Sequence, residues 1–135
     1  MGESEVANGE RVNVFYIDGV FLFKHYFDGE EVFNRVRQYY NNHQYRFEVP
    51  ENDFVELKEF LSENGYDLVV VDEVEEFAVI VKKYTAHPDN IFKQSIIQRS
   101  VDGYNCFLMN TKKAVAKARK GGAIPLPETK LESPF

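Results

Sequence analysis

Apolar positions recur along this chain with two different periods, and the switches between them predict its elements. Arg11–Ile17 and Val20–Phe27 are β-rich runs joined by Asp18-Gly19. That dipeptide is the strong signal for a two-residue hairpin, whose turn needs positive φ at both positions. In the second run, VFLFKHYF, aromatic residues fall on both faces, which predicts cover on both sides or an interface. A helix opens at Asp28-Gly29-Glu30-Glu31: Asp28 is placed to cap, and Glu31 completes a capping box. Val32, Phe33, Val36 and Tyr40 follow at helical spacing, and Asn41–Gln44, which has no period, reads as a loop.

Tyr45–Val49 alternates as a short strand that Pro50 ends. Asn52 is the expected cap of the next helix, whose buried stripe is Phe54, Leu57, Phe60 and Leu61. Gly65 supplies its left-handed stop, and Asp67–Val71 is a strand apolar enough to require cover on both faces. An acidic turn over 72–76 precedes a strand over Phe77–Val81, which ends in Lys82-Lys83. After Pro88, the stripe Ile91, Phe92, Ser95 and Ile96 predicts a second helix, although SIIQRSV (95–101) fits a strand as well.

A repeat tips that choice toward helix. Aligned without a gap, Pro50–Glu73 and Pro88–Thr111 share six identities over 24 positions, with 15 residues from proline to glycine in each. Both segments therefore read as helix, glycine stop, buried strand. Asn110 or Thr111 caps a last helix, KKAVAKARK, which Gly121-Gly122 stops. Ala123–Leu126 adds a short edge strand.

These elements predict an α+β fold. Residues 45–109 form a ferredoxin-like βαββαβ centre, preceded by the β-hairpin and helix and followed by the C-terminal helix and short strand. One feature fits that topology badly: the strands after the two helices would be its edges, yet they are the most apolar, and such edges need cover. The expected organisation is a frayed stretch over 1–10, one domain over 11–126 and an extended proline-marked tail over 127–135.

Composition changes this picture little. With 135 residues, 44% hydrophobic and twelve Phe, the chain is long and apolar enough for a core of its own. No apolar run approaches the ~20 residues of a membrane span. MGESEVANGE lacks the apolar centre of a secretory signal, and its Met-Gly start lacks the Ser or Thr that myristoylation needs, so a soluble cytoplasmic protein is expected. Cys106 is the single cysteine; it excludes an internal disulfide and sits in an apolar run that favours an inert thiol.

Charge adds more. The net −6 divides into −12 over residues 1–76 and +6 over 77–135. The halves suit a self-complementary contact, and the basic one suits an anionic ligand or nucleic acid. Lys112 and Lys113 stand in the first turn of the last helix, where its dipole disfavours cations by about 0.3–1 kcal/mol each. An anion docked at the free N–H groups would relieve that. The candidate anion-binding set is Lys82, Lys83, Lys112, Lys113, Lys117, Arg119 and Lys120.

Catalytic signals are weak. His25, His43 and His87 show no metal-ligand spacing, the acidic turn lacks a calcium loop's alternating ligands, and no phosphate- or dinucleotide-binding glycine motif occurs, so neither metal nor cofactor is implied. Tyr45, Arg46 and Phe47 give only a faint version of an RNA-stacking strand. The sequence thus points to a non-catalytic binding or assembly module that self-associates. An anion or nucleic-acid binder is the alternative, and a small enzyme is the third reading.

Overall fold

Asp18 and Gly19, with φ of 54° and 82°, turn the chain between β1 (Glu10–Ile17) and β2 (Val20–Phe23), which pair Ile17 with Val20. The hairpin forms as its sequence predicts. A computed structural model describes residues 9–135; the stretch expected to fray over 1–10 lies outside these except for its last two residues, and Glu10 already belongs to β1. The described chain falls into two units, which divide between Val71 and Asp72. Each unit has its own sheet and core.

In the first unit the hairpin is the centre of a five-stranded mixed sheet. β4 (Arg46–Pro50) pairs antiparallel with β2 and carries β3 (Tyr40–Asn41), while β5 (Tyr66–Val70) lies parallel to β1. Two helices cover one face. From α1 (Glu30–Val36) come Val32 and Val36, and from α2 (Glu51–Glu63) come Phe54, Leu57 and Leu61, all joined to Val12, Val14, Phe23, Phe47, Val49 and Leu68. Phe21 stacks on Phe54 with ring centres 3.9 Å apart. On the opposite face Phe15 and Leu22 are also buried, so VFLF is covered on both sides.

Two expected caps are not used. Gly29, at φ 97°, precedes α1, and the Asp28 N–H instead donates to Tyr66 Oη at 2.9 Å. The helix α2 starts directly after Pro50, which places Asn52 inside its first turn; there Glu51 and Asp53 suit the dipole. Its end is as expected, with Gly65 at φ 91°.

The second unit departs from the repeat. Only one turn, α3 (Ile91–Gln94), is helical after Pro88; Ser95–Val101 is strand β7, which Asp102-Gly103 turns back into β8 (Tyr104–Met109). The β-branched residues of SIIQRSV gain a ladder and a buried face there, and this outweighs the weak helical stripe. The second half is therefore turn and hairpin, not helix and strand. With β6 (Ala78–Lys82) and β9 (Ile124–Pro125) these strands form an antiparallel sheet in the order β7-β8-β6-β9.

The last helix, α4 (Lys112–Lys120), lies over one face, packing Ala114 and Ala118 on Val79, Val81, Phe107 and Met109. On the other face Ala78, Ile80 and Cys106 are covered by Leu126, with Leu131 and Phe135 alongside. The tail over 127–135 thus folds back on the sheet, and Arg99 Nη1 donates to Pro134 O at 2.7 Å.

Helices with one mixed and one antiparallel sheet make this an α+β fold. The ferredoxin-like arrangement of 45–109 does not form, because β4 and β5 belong to one sheet and β6 and β8 to another. Of the two strands whose exposure that topology threatened, β8 is interior. The other, β5, is an edge, with Val70 36% exposed.

Candidate anion site

The structure separates the seven basic residues into groups with different surroundings. Thr111 caps α4, its Oγ1 accepting from the Ala114 N–H at 3.0 Å. In the first turn Lys112 Nζ lies 2.7 Å from Glu76 Oε1 and 5.2 Å from the centre of the Phe77 ring. An internal carboxylate thus stands where an external anion was expected, which explains how the helix tolerates this lysine. The Lys112 hydrogen bond holds the Glu76 carboxyl below the usual range. Its neighbour Glu73 is pushed up, by its hydrogen bond to Glu76 and by the Glu76 charge. Arg119 pairs with Glu128. Both pairs are exposed and add little to stability.

The remaining cations have no ion-pair partner among the described residues. Lys82 and Lys83 close β6, where Lys82 stands opposite Tyr104 and the Lys83 N–H donates to Gly103 O at 3.0 Å. Lys113 is exposed on the first turn of α4. Lys117 and Lys120, three apart and so on one face of α4, do converge: both line a cavity of about 400 Å³. Of the seven candidates, the structure brings these two together.

Ile91, Met109, Ala114 and Ala118 give this cavity an apolar, buried floor, and Asp89, Asn90 and Gln94 complete its rim. Its wall over 88–94 is held from two sides. At one end the chain runs so close to the end of α4 that a Cβ on Gly121 would lie 2.7 Å from Pro88 Cβ. Behind it, His87 Nδ1 is 2.7 Å from Thr85 O, which requires the proton on Nδ1, and Nε2 is left to accept from Asn105 Nδ2 at 3.2 Å. The His87 ring stacks on Phe92 at 5.8 Å and meets Phe107 edge-on. Asn90 adopts a left-handed φ of 64°. The side-chain amides of Asn90 and Gln94 have no hydrogen-bond partner among the described residues. Neither residue stood out in the sequence, where Pro-Asp-Asn was a usable turn signal.

Elsewhere the chemistry is structural. Cys106 is fully buried in β8, and burial pushes its thiol up to about 12. The buried His25 Nε2 comes within 2.8 Å of Glu10 Oε2 outside hydrogen-bond alignment, and the ring packs on Phe27 and Tyr66. Lys24 sits below the usual lysine range, through its burial and then the Arg46 charge. Phe47 is a core residue stacked on Phe23 and Arg46 bonds Glu48, which leaves only Tyr45 exposed in the segment that faintly suggested base stacking. Among the described residues no cluster of His, Cys, Asp and Glu is placed to hold a metal, and no helix is long and apolar enough to cross a membrane. Comparison with known proteins finds no matching family model, no matching curated protein and no matching solved structure.

Proposed function

We propose that this chain is a non-catalytic binding module whose second unit takes a small anion in the cavity beside α4. The observation that carries the reading is the pairing pattern. Lys112 and Arg119 are neutralised by Glu76 and Glu128, whereas Lys117 and Lys120 stand unpaired at the mouth of a cavity with an apolar floor. A cavity of about 400 Å³ lies in the size range of small-molecule sites, which combine such floors with a few polar groups. A cytoplasmic setting, where a lone buried thiol stays reduced, belongs to the same proposal.

The test is an NMR titration with acetate, benzoate and pyrophosphate at low salt. Binding should move amide signals over 88–94 and 117–121, survive Lys112→Ala/Lys113→Ala and be lost in Lys117→Ala/Lys120→Ala. Loss in the first variant and retention in the second would transfer the site to the helix start and overturn the proposal. A second reading, self-association through the first unit, has its support in Phe33, Tyr40 and Tyr45, which stay 54%, 44% and 66% exposed. Light scattering at low and high salt tests it: a monomer throughout excludes it.

A further inference from the structure

We infer that the sheet face over Cys106 is a peptide-binding surface, which the chain keeps closed with its own C-terminal strap, 130–135. The strap is an autoinhibitory contact. What displaces it is an extended segment of another protein with the same pattern, two apolar side chains four apart and an acceptor carbonyl just before the second. This face lies opposite α4, so the inference is independent of the anion reading. It is carried by how the strap is held. β6 lies between β8 and β9, and β8 between β7 and β6, so the strands beneath have both ladders complete and the strap adds no strand. Among the described residues, its one hydrogen bond to the sheet runs from Arg99 Nη1 to Pro134 O at 2.7 Å. The bonds from Leu131 N–H to Thr129 Oγ1 and from Phe135 N–H to Ser133 Oγ stay within 129–135.

What remains is two apolar anchors. Leu131 and Phe135 pack on Ala78, Ile80 and Cys106, which are 0%, 3% and 0% exposed, and the Phe135 ring centre lies 5.6 Å from the Arg99 guanidinium. Yet no residue over 127–135 is itself buried. A sealed floor under a half-exposed cover is the arrangement of a groove and its ligand, not of two core layers. The strap is also separable. Thr129 closes its own turn, its N–H and Oγ1 both donating to Leu126 O at 3.0 and 2.7 Å, so the buried Leu126 keeps its place when 130–135 leaves. The contacts that seat the strap come from two side chains and one carbonyl over 131–135, which a segment of another chain reproduces. Pro134 suits this position, because its missing N–H asks for no partner from a sheet whose ladders are full. Tethering gives the strap a high effective concentration, so a competitor's apparent Kd is its intrinsic Kd divided by the open fraction.

The experiment uses the full chain, its Leu131→Ala/Phe135→Ala variant and a labelled synthetic peptide of residues 129–135. Fluorescence anisotropy reads peptide binding, and iodoacetamide alkylation reads the exposure of Cys106. The variant weakens the strap and leaves the face intact. Loss of two half-buried anchors should raise its alkylation rate roughly 20- to 30-fold, and its affinity for the peptide by the same factor, because both report the open fraction. The peptide should also restore protection to the variant's Cys106, and a peptide carrying the same two alanines should neither bind nor protect. Faster alkylation without peptide binding makes the strap a structural cover and overturns the inference. Equal affinity for both chains places the peptide elsewhere and overturns it too. Urea unfolding checks the fold; where the double variant is unfolded, Phe135→Ala alone replaces it, with a gain of roughly fivefold expected in both readouts. A wild-type chain that light scattering finds dimeric assigns the face to a second copy's strap and overturns autoinhibition.

Discussion

The C-terminal strap over Cys106 gives the sharpest test of the packing in the second unit. Cys106 is fully buried beneath a face that Leu126, Leu131 and Phe135 cover, and the strap's end is held by Arg99, which donates to Pro134 O at 2.7 Å and lies 5.6 Å from the Phe135 ring centre. With the thiol pushed from 9.0 to about 12, thiolate at pH 8 is about 10³-fold scarcer than in an ordinary cysteine. Alkylation therefore proceeds through an opened state, and its rate measures the opening equilibrium.

Arg99→Ala removes a charge-assisted hydrogen bond, about 1.5–3 kcal/mol when well buried, and a cation–π contact of about 0.5–1 kcal/mol. Both are partly solvated, so the loss at the strap is discounted to about 1.5–2 kcal/mol. At 1.4 kcal/mol per factor of ten, this is a rise of roughly 10- to 30-fold in the iodoacetamide rate. Phe135→Ala, which leaves Arg99 in place, should raise it by roughly fivefold. Mass spectrometry follows the reaction, and urea unfolding supplies the global stability. The reasoning is refuted if neither variant changes the rate, or if the rate rises only as far as global stability falls; in the latter case the thiol is reached by complete unfolding and the strap does not open alone.

Three further outcomes follow from single contacts. Gly121→Ala places a Cβ 2.7 Å from Pro88 Cβ and should lower stability by about 1–3 kcal/mol in urea unfolding; a loss below about 0.5 kcal/mol would mean the 88–121 seam is loose. Thr111→Ala removes the only side-chain cap described for a helix here and should cost about 0.5–2 kcal/mol by the same measurement, while Thr111→Ser should be near neutral. Carboxyl titration by NMR should place Glu76 below the usual range and Glu73 above it, and Lys112→Ala should move Glu76 up. The signs oppose: stability from the lowered Glu76 is present above the ordinary carboxylate pKa and lost as pH falls through the folded value, whereas that from the raised Glu73 is present at low pH and lost as pH rises through its own. Unchanged Glu76 in the variant would refute the ion pair.

Much of the fold was legible because local chemistry decided it. Asp18-Gly19, the Leu57 and Leu61 stripe with its Gly65 stop, and Thr111 with Gly121-Gly122 each satisfy their own backbone and need no distant partner. The candidate site was legible only in part. That Lys112 meets Glu76 and Arg119 meets Glu128 depends on contacts across 36 and 9 positions, which no helical spacing encodes. That Lys117 and Lys120 face a cavity depends on 88–94 being a turn with one helical coil, and the repeat argued for a longer helix.

The error at 95–101 shows how the same residue can satisfy two structures. Gly65 and Gly103 both follow a polar residue, precede Tyr and take a positive φ, 91° and 90°. At Gly65 the conformation ends a helix; at Gly103 it is the second position of a two-residue turn, with Asp102 at φ 49° before it and Val101 paired to Tyr104. What separates them is the preceding residue. Asp102 takes the left-handed region itself, whereas Asn64 has φ −107° and continues from the helix. Asp102-Gly103 is the same dipeptide as Asp18-Gly19, and the hairpin rule that held at the first position holds at the second. The aligned glycines therefore reflect one backbone requirement met twice. In the second segment, half-buried Ile97, Arg99 and Val101 alternating with exposed Gln98 and Ser100, with a turn dipeptide behind them, outweigh an imperfect helical stripe, because the hairpin pairs Ile97 to Val101 with β8 without a break.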